Sequence, residues 1–260
     1  MKKVLLIGGA GNVGTAVTPY IAKQYDIRVL DVQRPKHDVD WIEGSIADPN
    51  AVRSALTGVD TFVNLAMRGG QGGYTTDQTT QQILDNYEIN TLGLHLLLFN
   101  AHELGVMGGV HTSTMSVHYR ARRWFPAEET VPLDSPSVYG FTKGLGEQIC
   151  EYFARWFDMN IVALRITGPR ARAQFLAERA APPVYAHDTH LYVTDEEDLA
   201  RAYLTAIETV SVGHGRFDAF FIAGDEDEHE HNLSKAQRIL KWEPKSHLLL
   251  EDGEDSLSPS

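Results

Sequence analysis

Short apolar runs alternate with helix-spaced segments along nearly the whole chain, and this alternation does most to restrict the fold. Residues 2–9 (KKVLLIGG) are an apolar run suited to a strand buried on both faces. Residues 12–24 have helical spacing, 26–31 (DIRVLD) read as a second strand, and 40–46 (DWIEGSI) as a third, weaker one. A helix over 48–58 is opened by Asp48 and Pro49 and closed by Gly58. Strand 60–66, a long helix over 79–105, strand 109–114 and a second long helix over 135–157 follow. Strand 160–167, helix 195–210, strand 216–223 and a last helix over 232–242 complete the series. The pattern predicts an α/β chain with right-handed βαβ crossovers. They build a doubly wound parallel sheet of about seven strands, covered on both faces.

The 260 residues suffice for one large domain with a small appendage. No apolar run approaches the ~18–20 residues that cross a bilayer, and the first strand begins too early to leave room for a signal peptide. The single cysteine, Cys150, excludes an internal disulfide and fits a reducing compartment, so a cytoplasmic protein is expected. A net charge of −12 disfavours nucleic acid as a partner. Much of the acid is local, in residues 225–231 (DEDEHEH) and 251–255 (EDGED). The first reads as a solvated loop, and residues 251–260 as a disordered acidic tail. Glu228, His229, Glu230 and His231 resemble a metal tract, but nothing nearby fixes a geometry, and no metal is expected.

Between the first strand and first helix stands GGAGNVG, with Gly8, Gly11 and Gly14 spaced to turn tightly and to admit a pyrophosphate. Asn12 and Val13 open the helix, whose free N–H groups favour an anion. Asp31 ends the second strand, where a carboxylate accepts from ribose hydroxyls and repels a 2′-phosphate. NAD is therefore favoured over NADP, although Arg34 lies close. Tyr139 and Lys143 are four apart on one helix face. An ammonium near a phenol favours the phenolate, which can take a proton from a hydroxyl as hydride leaves. Thr114 is the first choice for the hydroxyl that orients the substrate oxygen, and Ser113 the second.

Taken together, GGAGNVG, Asp31, GSIAD, VNLA, NTLGLHLLL, TSTMSV, VYGFTKGLGE, ALRITGP, VTDEEDLARAYLTAIE and LKWEPK come in the order of one family. Over about residues 1–247 the chain resembles an extended short-chain dehydrogenase/reductase of the NAD-dependent epimerase/dehydratase family. The resemblance implies a Rossmann core over 1–167 and a small substrate-binding region over 168–250 interleaved with the last core elements. It implies Tyr139 as acid/base, Lys143 on the ribose, Thr114 in place of the usual serine, and Asn90 holding a water near the lysine. The implied NAD-binding set is Gly8, Gly11, Asn12, Val13, Gly14, Asp31, Ser45, Ile46, Leu65, Ala66, Met67, Tyr139, Lys143 and Ile166. Ile46 would lie along the adenine. Ser45 stands where an aspartate is common, and Asn64 where a histidine is frequent.

The short interval before residue 195 suggests a substrate without a nucleotide handle, as in a short subgroup similar to uronate dehydrogenase. The chain departs from that subgroup at Thr114-Met115, where Ser-Asn is usual, and in the loop after the fourth strand. Thr114, Met115, Tyr139, Arg68 and Arg170 are the candidate substrate contacts, with Arg120, Arg122, Arg123 and Arg172 as further cations for an anionic substrate. The expected activity is hydride transfer between NAD and a secondary alcohol or hemiacetal carbon of a small sugar, sugar acid or polyol. An epimerase or dehydratase that recycles NAD, and a non-enzymatic NAD(P) sensor, are the alternatives. Apolar residues over 92–99 and 149–157 predict a homodimer through a four-helix seam.

Overall fold

The apolar runs become parallel strands of one sheet. The computed structural model describes residues 1–69, 77–119, 122–180 and 192–246. Seven strands, β1 (Lys3–Ile7), β2 (Asp26–Asp31), β3 (Asp40–Glu43), β4 (Thr61–Asn64), β5 (Gly108–Thr114), β6 (Asn160–Ile166) and β9 (Phe217–Ile222), pair in the order β3-β2-β1-β4-β5-β6-β9. Every pairing is parallel. The chain reverses its direction of growth between β1 and β4, which places a ligand crevice at the carboxyl ends of the central strands.

Both faces of each central strand are buried, which is why these segments read as unbroken apolar runs. Val4 and Leu6 face a layer containing α1 (Asn12–Ile21) and α7 (Glu196–Val212). Leu5 and Ile7 face α2 (Pro49–Leu56), α4 (Leu94–Glu103) and α5 (Val138–Phe157). Asp48 caps α2 by accepting from the Asn50 N–H at 2.9 Å, and Pro49 is its first residue.

The single long helix expected over 79–105 is a rod of three pieces. α3 (Thr80–Tyr87) is opened by a reciprocal Thr79–Gln82 capping box. A π turn over Glu88–Gly93 follows, and α4 continues without a break in helical backbone. At the end of this turn the rod approaches Ile46 closely: a Cβ on Gly93 would lie 2.7 Å from Ile46 Cγ2. Periodicity does not reveal such a turn, because it adds a residue without changing the apolar content.

Two further features depart from the sequence pattern. Pro169–Arg170 (β7) and Thr194–Asp195 (β8) form a separate two-stranded parallel patch, too short to leave a periodic signal. They flank α6 (Arg172–Ala180). The last expected helix is largely a π turn over Ala236–Leu240, ended by Lys241 at φ 55°. Trp242 behind it is fully buried and donates its indole N–H to Asp198 O at 2.8 Å. The expected disordered tail, 251–260, lies outside the described residues.

Candidate active site

The glycine loop is shaped by its neighbours. Gly8 has φ +80°, and a Cβ there would sit 2.6 Å from the Ala66 backbone nitrogen. Only glycine satisfies both the turn and this close approach of β1 to β4. A Cβ on Gly14 would strike the Gly9 backbone, so this glycine sets how closely α1 packs on its loop. Gly11 is different. It is the exposed N-cap of α1, has no side-chain cap, and its missing Cβ would meet only Gly8 O at 3.3 Å. With the exposed Asn12 and half-buried Val13 it leaves an open, uncapped helix N-terminus, which fits a pyrophosphate.

Asp31 stands at this loop. Its Oδ2 accepts from the Ala10 N–H and its Oδ1 from the Gln33 N–H, both at 2.9 Å. Each oxygen keeps lone-pair capacity for a ribose hydroxyl. Beyond it, Arg34, Lys36, His37 and Trp41 line a polar depression. Ser45 Oγ accepts from Ala47 N at 3.1 Å. Ile46 is buried, and its Cγ2 would lie 2.7 Å from a Cβ on Gly93. Leu65 and Ile166 are likewise buried, Ala66 is half-buried, and Met67 is exposed beside the crevice.

The chemistry-bearing side chains gather where β5 ends and α5 begins. Ser137 caps α5 by accepting from the Gly140 N–H at 3.0 Å. A Cβ on Gly140 would lie 2.0 Å from Ser116 O, so only glycine lets the first turn of α5 press against the end of β5. That contact brings Tyr139 to Thr114. The phenol hydroxyl also donates to Met67 Sδ at 3.8 Å. Burial raises the Tyr139 pKa above its ordinary 10, opposed by the hydrogen bond with Thr114. Thr114 Oγ1 additionally accepts from the Ser116 N–H at 3.1 Å. Ser113, the second choice, points away: its Oγ donates to Glu147 Oε1 at 2.5 Å. Strand alternation therefore separates the two hydroxyls that the sequence left as alternatives.

Lys143 is buried, with 2% of its surface exposed. Its Nζ lies 3.3 Å from His111 Nε2. Burial lowers its pKa to about 8, against the opposing pull of Cys150 and Glu147. His111, not singled out from the sequence, is 1% exposed and held well below its ordinary 6.5 by burial and then by Lys143. Its only sequence signal is its place two residues before Ser113, on the same strand face. Glu147 was also missed. It forms a buried ion pair with Arg165 at 2.6 Å directly behind Ser113.

Asn90 sits in the π turn and is buried. Its Oδ1 accepts from Arg68 N at 2.8 Å, and the two hydrogens of Nδ2 are shared among Arg68 O at 2.9 Å and Asn86 Oδ1 and Thr142 Oγ1 at 3.0 Å. Asn90 thus clamps the backbone of the loop after β4.

The candidate arginines are mostly committed to carboxylates: Arg68 to Asp85, Arg122 to Asp134, Arg170 to Glu178 and Arg172 to Asp195. Arg123 is exposed, and Arg120 lies outside the described residues. Met115 is half-buried against the core. His231 rests its Nδ1 3.0 Å from Asp225 Oδ2 and stacks on Phe125, a structural role for part of the acidic tract. Among the described residues no group of three His, Cys, Asp or Glu could hold a metal ion.

The chain and its fold have counterparts among known proteins. The chain is 24% identical over 267 residues to an NAD-dependent glucose-6-phosphate dehydrogenase of Haloferax volcanii, covering 95% of this chain and 94% of that one. It is 32% identical over 197 residues to a 2-alkyl-3-oxoalkanoate reductase of Stenotrophomonas maltophilia, covering 68% of this chain but only 56% of the reductase. The fold matches the crystal structure of glucuronic acid dehydrogenase from Chromohalobacter salexigens with a TM-score of 0.75 and 20% identity, over 100% of this chain and 91% of that one. The model of the NAD-dependent epimerase/dehydratase family matches residues 4–187, and to that family of NAD-dependent enzymes the chain belongs.

Proposed function

We propose that the protein is an NAD-dependent oxidoreductase acting on a secondary alcohol or hemiacetal carbon of a small sugar or sugar acid, with Tyr139 as general acid/base. The observation that carries this reading is the nearness of Tyr139 to Thr114 at the carboxyl end of β5, the same end of the parallel sheet from which the glycine loop leaves β1. In it Gly8, Gly11, Asn12, Val13 and Gly14 hold the pyrophosphate, Asp31 the adenosine ribose, and the backbone of Ser45–Ile46 the adenine edge. Leu65, Ala66, Met67 and Ile166 line the path to the nicotinamide. NAD, when bound, supplies the hydride acceptor. Thr114 orients the substrate hydroxyl, and Tyr139 takes its proton, or returns it to a carbonyl in reduction. Burial keeps the phenol protonated in the free site. Its base form needs positive charge nearby, which Lys143, one turn along α5, would supply when it is an ammonium with cofactor bound.

The interval between β6 and α7 is short, which supports a substrate without a nucleotide handle. Among the candidate cations Arg68 is the most exposed of those already paired, and Arg68 and Arg170 are the proposed contacts for an anionic group. The division into a core over 1–167 and a substrate region over 168–250 belongs to the same reading, as does a cytoplasmic location with no nucleic-acid partner. Among the described residues no helix is long and apolar enough to cross a membrane. Leu84, Tyr87, Leu92 and Phe99 of the rod and Phe141, Tyr152 and Trp156 of α5 are exposed, supporting a homodimer that pairs these helices.

The test is NAD reduction across free sugars, uronic acids and sugar phosphates, followed by Tyr139→Phe on the best substrate. Net NADH is expected, and the variant should lose about 10²–10⁴-fold in kcat while binding NAD as before. Interconversion of epimers without net NADH would favour the recycling alternative. Full activity in Tyr139→Phe would refute the mechanism.

A further inference from the structure

Asn64 and His111 are register partners on β4 and β5, both buried. The Ala66 N–H donates to Asn64 Oδ1 at 3.1 Å, which fixes the direction of the carboxamide. Its Nδ2 therefore turns to His111 Nδ1, 3.3 Å away. An amide NH₂ only donates, so Nδ1 presents its lone pair. A neutral imidazole then carries its proton on Nε2, and Nε2 faces Lys143 Nζ at 3.3 Å. An ammonium at that point would oppose an N–H donor with another, whereas a neutral amine accepts from it.

The surrounding groups do not offset this. Glu147, one turn along α5, is taken up by Arg165 of β6 and by Ser113 of β5. Cys150, on the same helix, is buried and burial raises its pKa, so it stays a thiol. Tyr139 is a neutral phenol in the free site. The rod contributes Asn86 and Asn90, both neutral.

We propose that His111 is a positioning residue that favours the neutral amine of Lys143 in the free site, so that at alkaline pH the free site holds an amine, and that cofactor binding supplies acceptors for an ammonium and there takes up one proton from solvent. The second half rests on the reading of Lys143 as the ribose-binding lysine. Burial of Lys143 acts in the same direction as the tautomer argument. The consequence is that the group that would activate Tyr139 is switched on by the cofactor.

The test is ¹⁵N NMR of the lysine Nζ resonances of the whole chain at pH 9, with the Lys143 signal identified by its loss in Lys143→Met. In the wild type without dinucleotide the signal should have an amine shift, and with saturating NAD an ammonium shift. His111→Gln can turn a carbonyl oxygen to Nζ, and should move the titration midpoint up by about one pH unit or more. Asn64→Asp accepts from both Ala66 N and His111 Nδ1–H, so it inverts the imidazole tautomer and should act likewise, which covers the case of one variant failing to fold. Calorimetric proton uptake on NAD binding should fall in the same variants. An ammonium shift in the free wild type, or variants with the wild-type midpoint, would overturn the proposal. An amine shift that NAD binding does not change would keep the role of His111 and refute the ribose assignment of Lys143.

Discussion

Glu147→Met should be among the most damaging single substitutions in the chain, although it touches nothing in solvent. The carboxylate is 2% exposed and Arg165 5% exposed. Glu147 accepts from Arg165 Nε and Nη2 and from Ser113 Oγ. Removing one partner leaves a buried guanidinium uncompensated, at a cost of about 3–5 kcal/mol. Arg165→Met should cost a similar amount, because it strands the carboxylate. The double variant removes both charges and retains apolar volume. It still leaves Glu128 O and His118 Nε2 without the Arg165 Nη1 group they face at 3.0 and 3.3 Å. About 2–3 kcal/mol of loss is therefore expected for the pair, at least ~3 below the sum of the singles. Urea unfolding followed by circular dichroism at one protein concentration measures all four proteins. Single-variant costs that add to within about 0.5 kcal/mol would refute the reasoning, because two residues that share a buried ion pair have to couple.

His118 lies beside Arg165, with Nδ1 2.7 Å from Pro132 O, and burial brings its pKa from 6.5 to about 4. As pH falls below 6.5 the unfolded chain takes a proton that the folded one refuses, so up to about 3 kcal/mol of stability is lost by pH 4. His118→Gln should lose less over that window in urea titrations, and a constant difference from wild type would contradict this. Asp31→Ala should weaken NAD about tenfold and narrow the preference over NADP, as measured by fluorescence titration. Equal affinity of the unmodified protein for NADP would count against Asp31 as the ribose acid. Trp156 is 69% exposed on α5, and Trp156→Glu should convert a dimer to monomers in light scattering. A wild type that is monomeric at all concentrations would remove the dimer reading.

The sheet was legible because parallel strands buried on both faces leave unbroken apolar runs, as in VLLI and NIVALRI. The glycine loop and Asp31 were legible because the strand–turn–helix context gives otherwise weak motifs a place. Lys143 was singled out by its spacing from Tyr139, but its neighbour His111 was not. Cross-strand neighbours such as Asn64 and His111 are 47 residues apart, and no local pattern links them. The same holds for Glu147 and Arg165, 18 apart across a helix and a strand. The carboxylates paired with the loop arginines were not legible, because they lie elsewhere in sequence, as Arg172 and Asp195 do. The π turn around Asn90 escaped notice because apolar residues remain frequent on both sides of it.

That π turn ties the site to the outer surface. One residue more than an α-helix needs rotates everything downstream by about 100°. With it, Asn90 meets the loop after β4 while Leu94, Leu97 and Leu98 still enter the core. Deleting Thr91 alone would restore a regular helix, and the two halves of the rod would no longer both fit. Either Asn90 would swing off Arg68, or Leu92 and Phe99 would turn away from the face they share with Leu84 and Tyr87. An insertion or deletion here is therefore not a local edit, because the loop after β4 and the exposed apolar face share a single count of residues.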